Sequence, residues 1–191
     1  MHILTLLGSP RKKGNTAAVL AAFEQKLSPY HHIERIDLVD YTVRGCLGCD
    51  YCQRHAGHPF CNQQDDDANA IFERMRQADL LVYASPLYVW DFTAQMKALL
   101  DRQYCLIKWR GGEVHKSFLA GKSAVLLVTC GAGIEDNADV IQVVFRREMD
   151  CAGCQVAGIY ILPNCTTPRA IGSRMDPLVA AMTAPWLVNP E

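Results

Sequence analysis

The sequence predicts an α/β fold in which a parallel sheet is covered by helices on both faces. Three observations lead there. The runs Leu80–Ala84 (LLVYA) and Ser123–Thr129 (SAVLLVT) are almost continuously apolar, as strands buried on both faces are. Strand-like and helix-like segments alternate along the chain, the order that gives crossover connections and parallel pairing. Three strand-like runs lead into loops of unusual composition, and in such sheets ligands bind beyond the carboxyl ends of the strands, where strand order reverses.

Each element follows in order. Ile3–Leu7 (ILTLL) reads as a buried strand, and Thr16–Leu27 as the helix after it. His32–Leu38 (HIERIDL) alternates polar and apolar, which predicts a half-buried strand near an edge. Asp40–Asp65 is irregular and rich in Cys, Gly and His; a loop that long in a compact domain is usually functional. Asp66–Gln77 predicts a helix with Ile71 and Met75 facing inward. Leu80–Ala84 is the third strand, and Ser85–Trp90 the loop beyond it. Thr93–Ile107 predicts a helix with Met96, Leu99 and Leu100 inside, and Gly111-Gly112 breaks the chain into another loop. Ser123–Thr129 is the fourth strand and ends in Cys130-Gly131-Ala132-Gly133. Asn137–Asp150 predicts a helix and Val156–Leu162 (VAGIYIL) the fifth strand. A last helix is expected between Ala170 and Met182, broken near Pro177, with Pro185 beyond it.

The totals narrow the class. The chain has 191 residues, half of them apolar, and a formal net charge of −1. That predicts one folded domain over 1–191, without linker or repeat. No basic stripe stands out, so a nucleic-acid partner is not expected. No apolar run approaches the ~20 residues that span a bilayer, so no membrane is expected either. The first residues already read as a strand, without a leader pattern, and a cytoplasmic setting is the expectation. Nine cysteines is a high and odd count; in a reducing compartment clustered cysteines bind metal or do redox work more often than they form bridges.

The loop Leu7-Gly8-Ser9-Pro10-Arg11-Lys12-Lys13-Gly14-Asn15-Thr16 joins a strand to a helix N-terminus. The first N–H groups of a helix lack partners within it, and the helix dipole favours an anion there. Ser9, Asn15 and Thr16 add side-chain donors, and Gly8 and Gly14 would let the backbone approach a ligand. An ordinary connection capped by Asn15 or Thr16 reads equally well from this loop alone. The other two loops, Ser85–Trp90 and Thr129–Gly133, leave the same ends of their strands, so all three can converge on one ligand.

GSPRKKGNT, then SPLYVWDFTAQMKALLDR, then a strand ending in TCGAG, resembles the NADPH-dependent FMN reductase group of the flavodoxin-like superfamily. The resemblance runs from Met1 to about Leu162. It implies a flavodoxin-like three-layer sandwich with strand order 2-1-3-4-5, bound FMN, NAD(P)H as co-substrate, and a homodimer or homotetramer. By position, Ser9, Arg11, Asn15 and Thr16 would hold the FMN phosphate. Pro86, Leu87, Tyr88 and Trp90 would lie against the isoalloxazine, and Thr129, Gly131 and Gly133 would close its other side. A phosphate with close to two charges suits a helix N-terminus with an Arg nearby. A flat, partly apolar ring suits aromatic flanks and glycine backbone. Tyr88 and Trp90 as plain core residues is the competing reading. No acid–base dyad is evident, and the flavin N5 would carry the chemistry. AGKS at Ala120–Ser123 precedes its strand and lacks the earlier glycine of a phosphate-binding loop.

Cys46, Cys49, Cys52 and Cys61 form C-x2-C-x2-C-x8-C. Thiolates so spaced suit iron–sulfur or zinc. The segment, with Asp65-Asp66-Asp67 after it, resembles the iron–sulfur flavoprotein branch of the same superfamily, which implies a [4Fe–4S] cluster near the flavin. The spacer before Cys61 is longer than that branch leads one to expect, and flavin reductase relatives carry similar cysteines without a cluster. A cluster, structural zinc and no metal all remain open. Cys151 and Cys154 read as buried thiols, Cys105 and Cys165 as packing or surface residues, and Cys130 as a neighbour of the ring. Two redox functions follow. One is an oxidoreductase passing electrons from NAD(P)H through FMN to a quinone, flavin, nitro or azo compound, or iron. The other is a shuttle between a [4Fe–4S] cluster, FMN and a ferredoxin-type partner. A flavodoxin-like binding module without turnover is the third reading.

Overall fold

A computed structural model of the chain describes residues 1–167 and 171–187. In chain order the strands are β1 (His2–Leu7), β2 (His32–Asp37), β3 (Leu80–Pro86), β4 (Ile107–Arg110), β5 (Glu113–Ser117), β6 (Ser123–Thr129) and β7 (Gln155–Leu162). The helices are α1 (Asn15–Leu27), α2 (Tyr51–Arg54), α3 (Ala68–Gln77), α4 (Ala94–Gln103), α5 (Asp139–Ala152) and α6 (Met175–Thr183). Five strands make one parallel sheet in the order β2-β1-β3-β6-β7. With the β4–β5 hairpin set aside, this is the expected 2-1-3-4-5 order.

Successive side chains of a strand point to opposite faces. Ile3 and Leu7 of β1 join Val19, Leu20 and Phe23 of α1 and Met182 of α6 in one core. Leu4 and Leu6 join Phe72 of α3, Met96 and Leu99 of α4 and Phe145 of α5 in the other. The central strands β1, β3 and β6 are buried almost throughout, and each Leu or Val so placed contributes about 1.5–3 kcal/mol. The edge strand β2 is only half covered. Its Arg35 reaches Asp37 at 2.6 Å and Glu24 of α1 at 3.3 Å.

Three sequence expectations are corrected. The helix expected over Thr93–Ile107 starts one residue later, with Thr93 as its cap accepting the Met96 N–H, and ends at Gln103. A 3₁₀ turn over Tyr104–Leu106 follows, and Ile107 already belongs to β4. The loop expected at Gly111-Gly112 is the turn of an antiparallel hairpin. Both glycines have positive φ, 62° and 86°, as a two-residue mirror-image turn requires. The last helix is not broken at Pro177, which sits in the first turn of α6, where its missing N–H has no helical partner to lose. Its expected start, Ala170, lies outside the described residues.

The cysteine-rich segment is tied down at both ends. Thr42 N–H donates to Asp67 Oδ2 at 2.7 Å and Asp67 N–H returns to Thr42 O at 2.9 Å. Arg44 N–H donates to Asp66 Oδ2 at 3.0 Å. Asn69 brackets Cys61, accepting its N–H at 2.8 Å and donating to its C=O at 2.9 Å. Gln53 of α2 clamps the segment to the hairpin, donating to Ile107 O at 2.9 Å and accepting the Trp109 N–H at 3.1 Å.

Candidate functional site

Strand order reverses at β1, which lies between β2 and β3, and that reversal opens a crevice at the carboxyl edge. A cavity of about 590 Å³ lies there. Its wall includes Ser9, Arg11, Asn15 and Thr16 from the first loop, Pro86, Leu87 and Tyr88 from the second, and Thr129 and Gly131 from the third. The three loops singled out in the sequence therefore meet on one site. Trp90 and Gly133 are not on its wall.

The α1 N-terminus is built to be open. Its cap is Gly14, with no side-chain capping bond and no acidic residue in the first turn, so its N–H groups and positive dipole end are left for an anion. Ser9 is occupied in shaping the loop, accepting the Arg11 N–H at 3.1 Å. The Thr16 and Thr129 hydroxyls share a buried hydrogen bond of 2.6 Å, which latches the helix to the third loop. Asn15 Nδ2 donates to Cys165 O at 3.1 Å and to Thr167 O at 3.2 Å. Asn15 Oδ1 is buried and lacks a partner, an acceptor left for a hydroxyl-bearing ligand. Gly8 serves packing rather than ligand approach. A Cβ there would lie 2.9 Å from Met96 Cβ.

The second loop folds as a tight turn. Tyr88 and Asp91 exchange backbone hydrogen bonds of 3.0 and 3.1 Å. Val89 and Trp90 between them have φ of 50° and 62°, a left-handed conformation that costs a β-branched or aromatic residue energy. Val89 is 86% and Trp90 58% exposed, so neither is core. In the third loop a Cβ on Gly131 would meet nothing within 4 Å, which leaves room for a flat ligand. Cys165 reads from the sequence as a packing or surface residue, and Thr166 and Thr167 carry no motif, yet all three line the cavity. The available signal was their position just beyond the carboxyl end of a strand on the same edge.

The cysteines make a second site. Cys46, Cys49, Cys52 and Cys61, with Cys105, surround a cavity of about 50 Å³ that Arg102 and Tyr104 also line. The Gly48 N–H approaches Cys46 Sγ at 3.5 Å and Gln53 Nε2 approaches Cys52 Sγ at 3.7 Å. Burial pushes the Cys105 thiol up to about 12, with Cys61 and Cys52 adding to it, and burial raises the Cys52 thiol as well. Among the described residues no three His, Cys, Asp or Glu side chains converge as on a single metal ion; the four loop thiols instead line one void. Cys151 and Cys154 lie elsewhere, at the end of α5 and before β7, and burial pushes Cys154 up to about 11. No helix among the described residues is long and apolar enough to cross a membrane.

The chain is similar to several known flavoproteins. An iron-sulfur flavoprotein of Archaeoglobus fulgidus is 35% identical over 103 residues, 53% of this chain and 48% of that protein. One of Methanosarcina thermophila is 35% identical over 107 residues, covering 56% and 54%. A second Archaeoglobus fulgidus iron-sulfur flavoprotein is 30% identical over 148 residues, covering 74% and 68%. The chain spans about half the length of the first two of these relatives. Among solved structures, an NAD(P)H:quinone oxidoreductase from Methanothermobacter marburgensis superposes with a TM-score of 0.74 at 24% identity, over 100% of this chain and 98% of that one. An FMN-dependent NADH-azoreductase from Bacillus anthracis gives 0.72 at 15% identity, over 99% and 100%. Both share the fold. The profile of the NADPH-dependent FMN reductase family matches residues 1–159, and the chain belongs to that family.

Proposed function

We propose that the chain is an FMN-dependent oxidoreductase that takes hydride from NAD(P)H and passes electrons to a small acceptor, such as a quinone, flavin, nitro or azo compound, or iron. The observation that carries this reading is the single cavity joining the uncapped α1 N-terminus to Tyr88 and Gly131. FMN, when bound, supplies a ring that accepts hydride and releases electrons. The chain's own residues bind and orient it. The α1 N–H groups and Arg11 receive the phosphate, and Asn15 Oδ1 accepts from a hydroxyl of the linker. Pro86, Leu87 and Tyr88 offer the ring an apolar face, and Gly131 leaves its opposite edge open to a nicotinamide. Trp90, exposed at the tip of its turn and off the cavity wall, would reach the ring only from outside.

The cysteine cavity favours a second reading alongside the first, an electron shuttle between a [4Fe–4S] cluster, FMN and a ferredoxin-type partner. Four thiols around one void, with N–H groups aimed at two of the sulfurs, fit the donor set of such a centre. Protein purified without oxygen separates the readings by its visible spectrum. Flavin bands alone, with NAD(P)H bleaching them, support the first. Additional broad absorption lost on dithionite treatment, with matching iron, supports the second. A colourless protein that added FMN does not colour contradicts both.

A further inference from the structure

The cysteine cavity sits among more buried positive charge than the fold neutralises. Arg102 and Lys108 are each only 1% exposed. Arg102 is matched by Asp66, whose side chain is equally buried, through Nη1–Oδ2 at 2.6 Å and Nη2–Oδ1 at 3.3 Å. Its Nε is buried without a hydrogen-bond partner, and Arg102 lines the cavity beside the cysteines. Lys108 has no carboxylate in ion-pair reach among the described residues. Its Nζ is held by the carbonyls of Cys52 at 2.9 Å and Cys105 at 2.7 Å, both residues of the cavity wall. Lys116 adds a third cation close by, its Nζ 4.2 Å from the Phe118 ring that also lies 5.7 Å from Lys108 Nζ.

A buried ammonium held only by carbonyls is costly, because dipoles orient it without supplying net charge. An apolar side chain would fill the same space at lower cost. The cost is offset if negative charge is held beside it; the one carboxylate on this wall, Asp50, is exposed and makes no ion pair with Lys108, and the remaining groups that can carry such charge are the cysteine sulfurs. We propose that Arg102 and Lys108 are built-in counter-charges for an anionic centre held by Cys46, Cys49, Cys52 and Cys61, and that they set its reduction potential. The inference rests on the cluster reading given above. When one electron enters, no bond forms or breaks and the centre gains one negative charge. Nearby buried cations favour that more negative state, so each raises the potential. Asp66 opposes Arg102 and lowers it.

The test is potentiometry on anaerobically reconstituted protein, with iron and sulfide counted for every variant. Lys108→Met should keep the iron content and shift the midpoint to more negative values. Asp66→Asn should shift it to more positive values, a reversal that general loosening of the fold does not produce. Both shifts should persist at high salt, because buried charges are poorly screened. Should Asp66→Asn fail to fold, Lys108→Met decides alone. Wild-type iron in Lys108→Met with an unmoved midpoint overturns the inference and leaves the cluster reading standing. Wild-type protein that takes up no iron and sulfide overturns the cluster reading, and the inference with it.

Discussion

Thr16 and Thr129 are 113 positions apart in the chain, yet their hydroxyls lie 2.6 Å from each other in a buried hydrogen bond. In the proposed function, the bond joins the helix that receives the phosphate to the strand end beside the ring. Thr16→Val leaves the Thr129 hydroxyl buried without a partner, which costs about 1–3 kcal/mol. Urea unfolding of the flavin-free protein should show that loss. The double variant Thr16→Val/Thr129→Val should cost less than the sum of the two single ones, since it removes both ends of one bond.

Two glycines should behave oppositely. Gly8→Ala drives a Cβ to 2.9 Å from Met96 Cβ, and such overpacking costs about 1–3 kcal/mol. Gly131→Ala meets nothing within 4 Å, so thermal unfolding of the flavin-free protein should be unchanged. The new methyl should instead lower flavin content, because it occupies the space reserved for the ring.

The turn at Val89-Trp90 stores strain. Both residues have positive φ, which Asn and Gly tolerate and Val and Trp do not. Val89→Asn/Trp90→Gly should therefore stabilise the flavin-free protein by about 1–3 kcal/mol in denaturant titrations. If Trp90 covers the bound ring, the same variant should bind FMN more weakly.

Glu148 gives the fold a pH dependence. Burial pushes its carboxyl up to about 7, with Lys97 opposing and Asp101 and Asp91 adding. The folded value lies above the ordinary one of 4.5, so folding is favoured while the group is protonated. That contribution is full below about 4.5 and is lost as pH rises through about 7. Glu148→Gln should match wild type at pH ~4 and exceed it by on the order of 1–2 kcal/mol at pH ~8 in chemical unfolding.

The sheet was legible because its central strands are separate apolar runs bounded by small or polar residues, and its edge strand β2 alternates polar and apolar. Ser123–Thr129 matches β6 at both ends, since a strand buried on both faces needs apolar residues at nearly every position. The β4–β5 hairpin was not legible. Lys108 and Lys116 look like surface charge in the string, and burial of Lys108 depends on partners 56 positions away. The convergence of three loops on one cavity followed from topology, but the fourth contributor, Cys165–Thr167, carries no motif and is placed by the end of β7. Asn15 reads as a phosphate ligand, whereas its amide N–H₂ group holds that fourth loop, a long-range contact that spacing does not reveal.

The proposed function places the phosphate of FMN at the α1 N-terminus. The most direct measurement is the affinity of the flavin-free protein for FMN against riboflavin, which lacks that phosphate, followed by flavin fluorescence. FMN should bind at least ~100-fold more tightly. Thr16→Val should weaken both flavins and keep the ratio, while Thr16→Glu, which sets a carboxylate at the helix end, should collapse it. Equal affinity for the two flavins in the wild-type protein, or a ratio that Thr16→Glu leaves unchanged, would contradict the account.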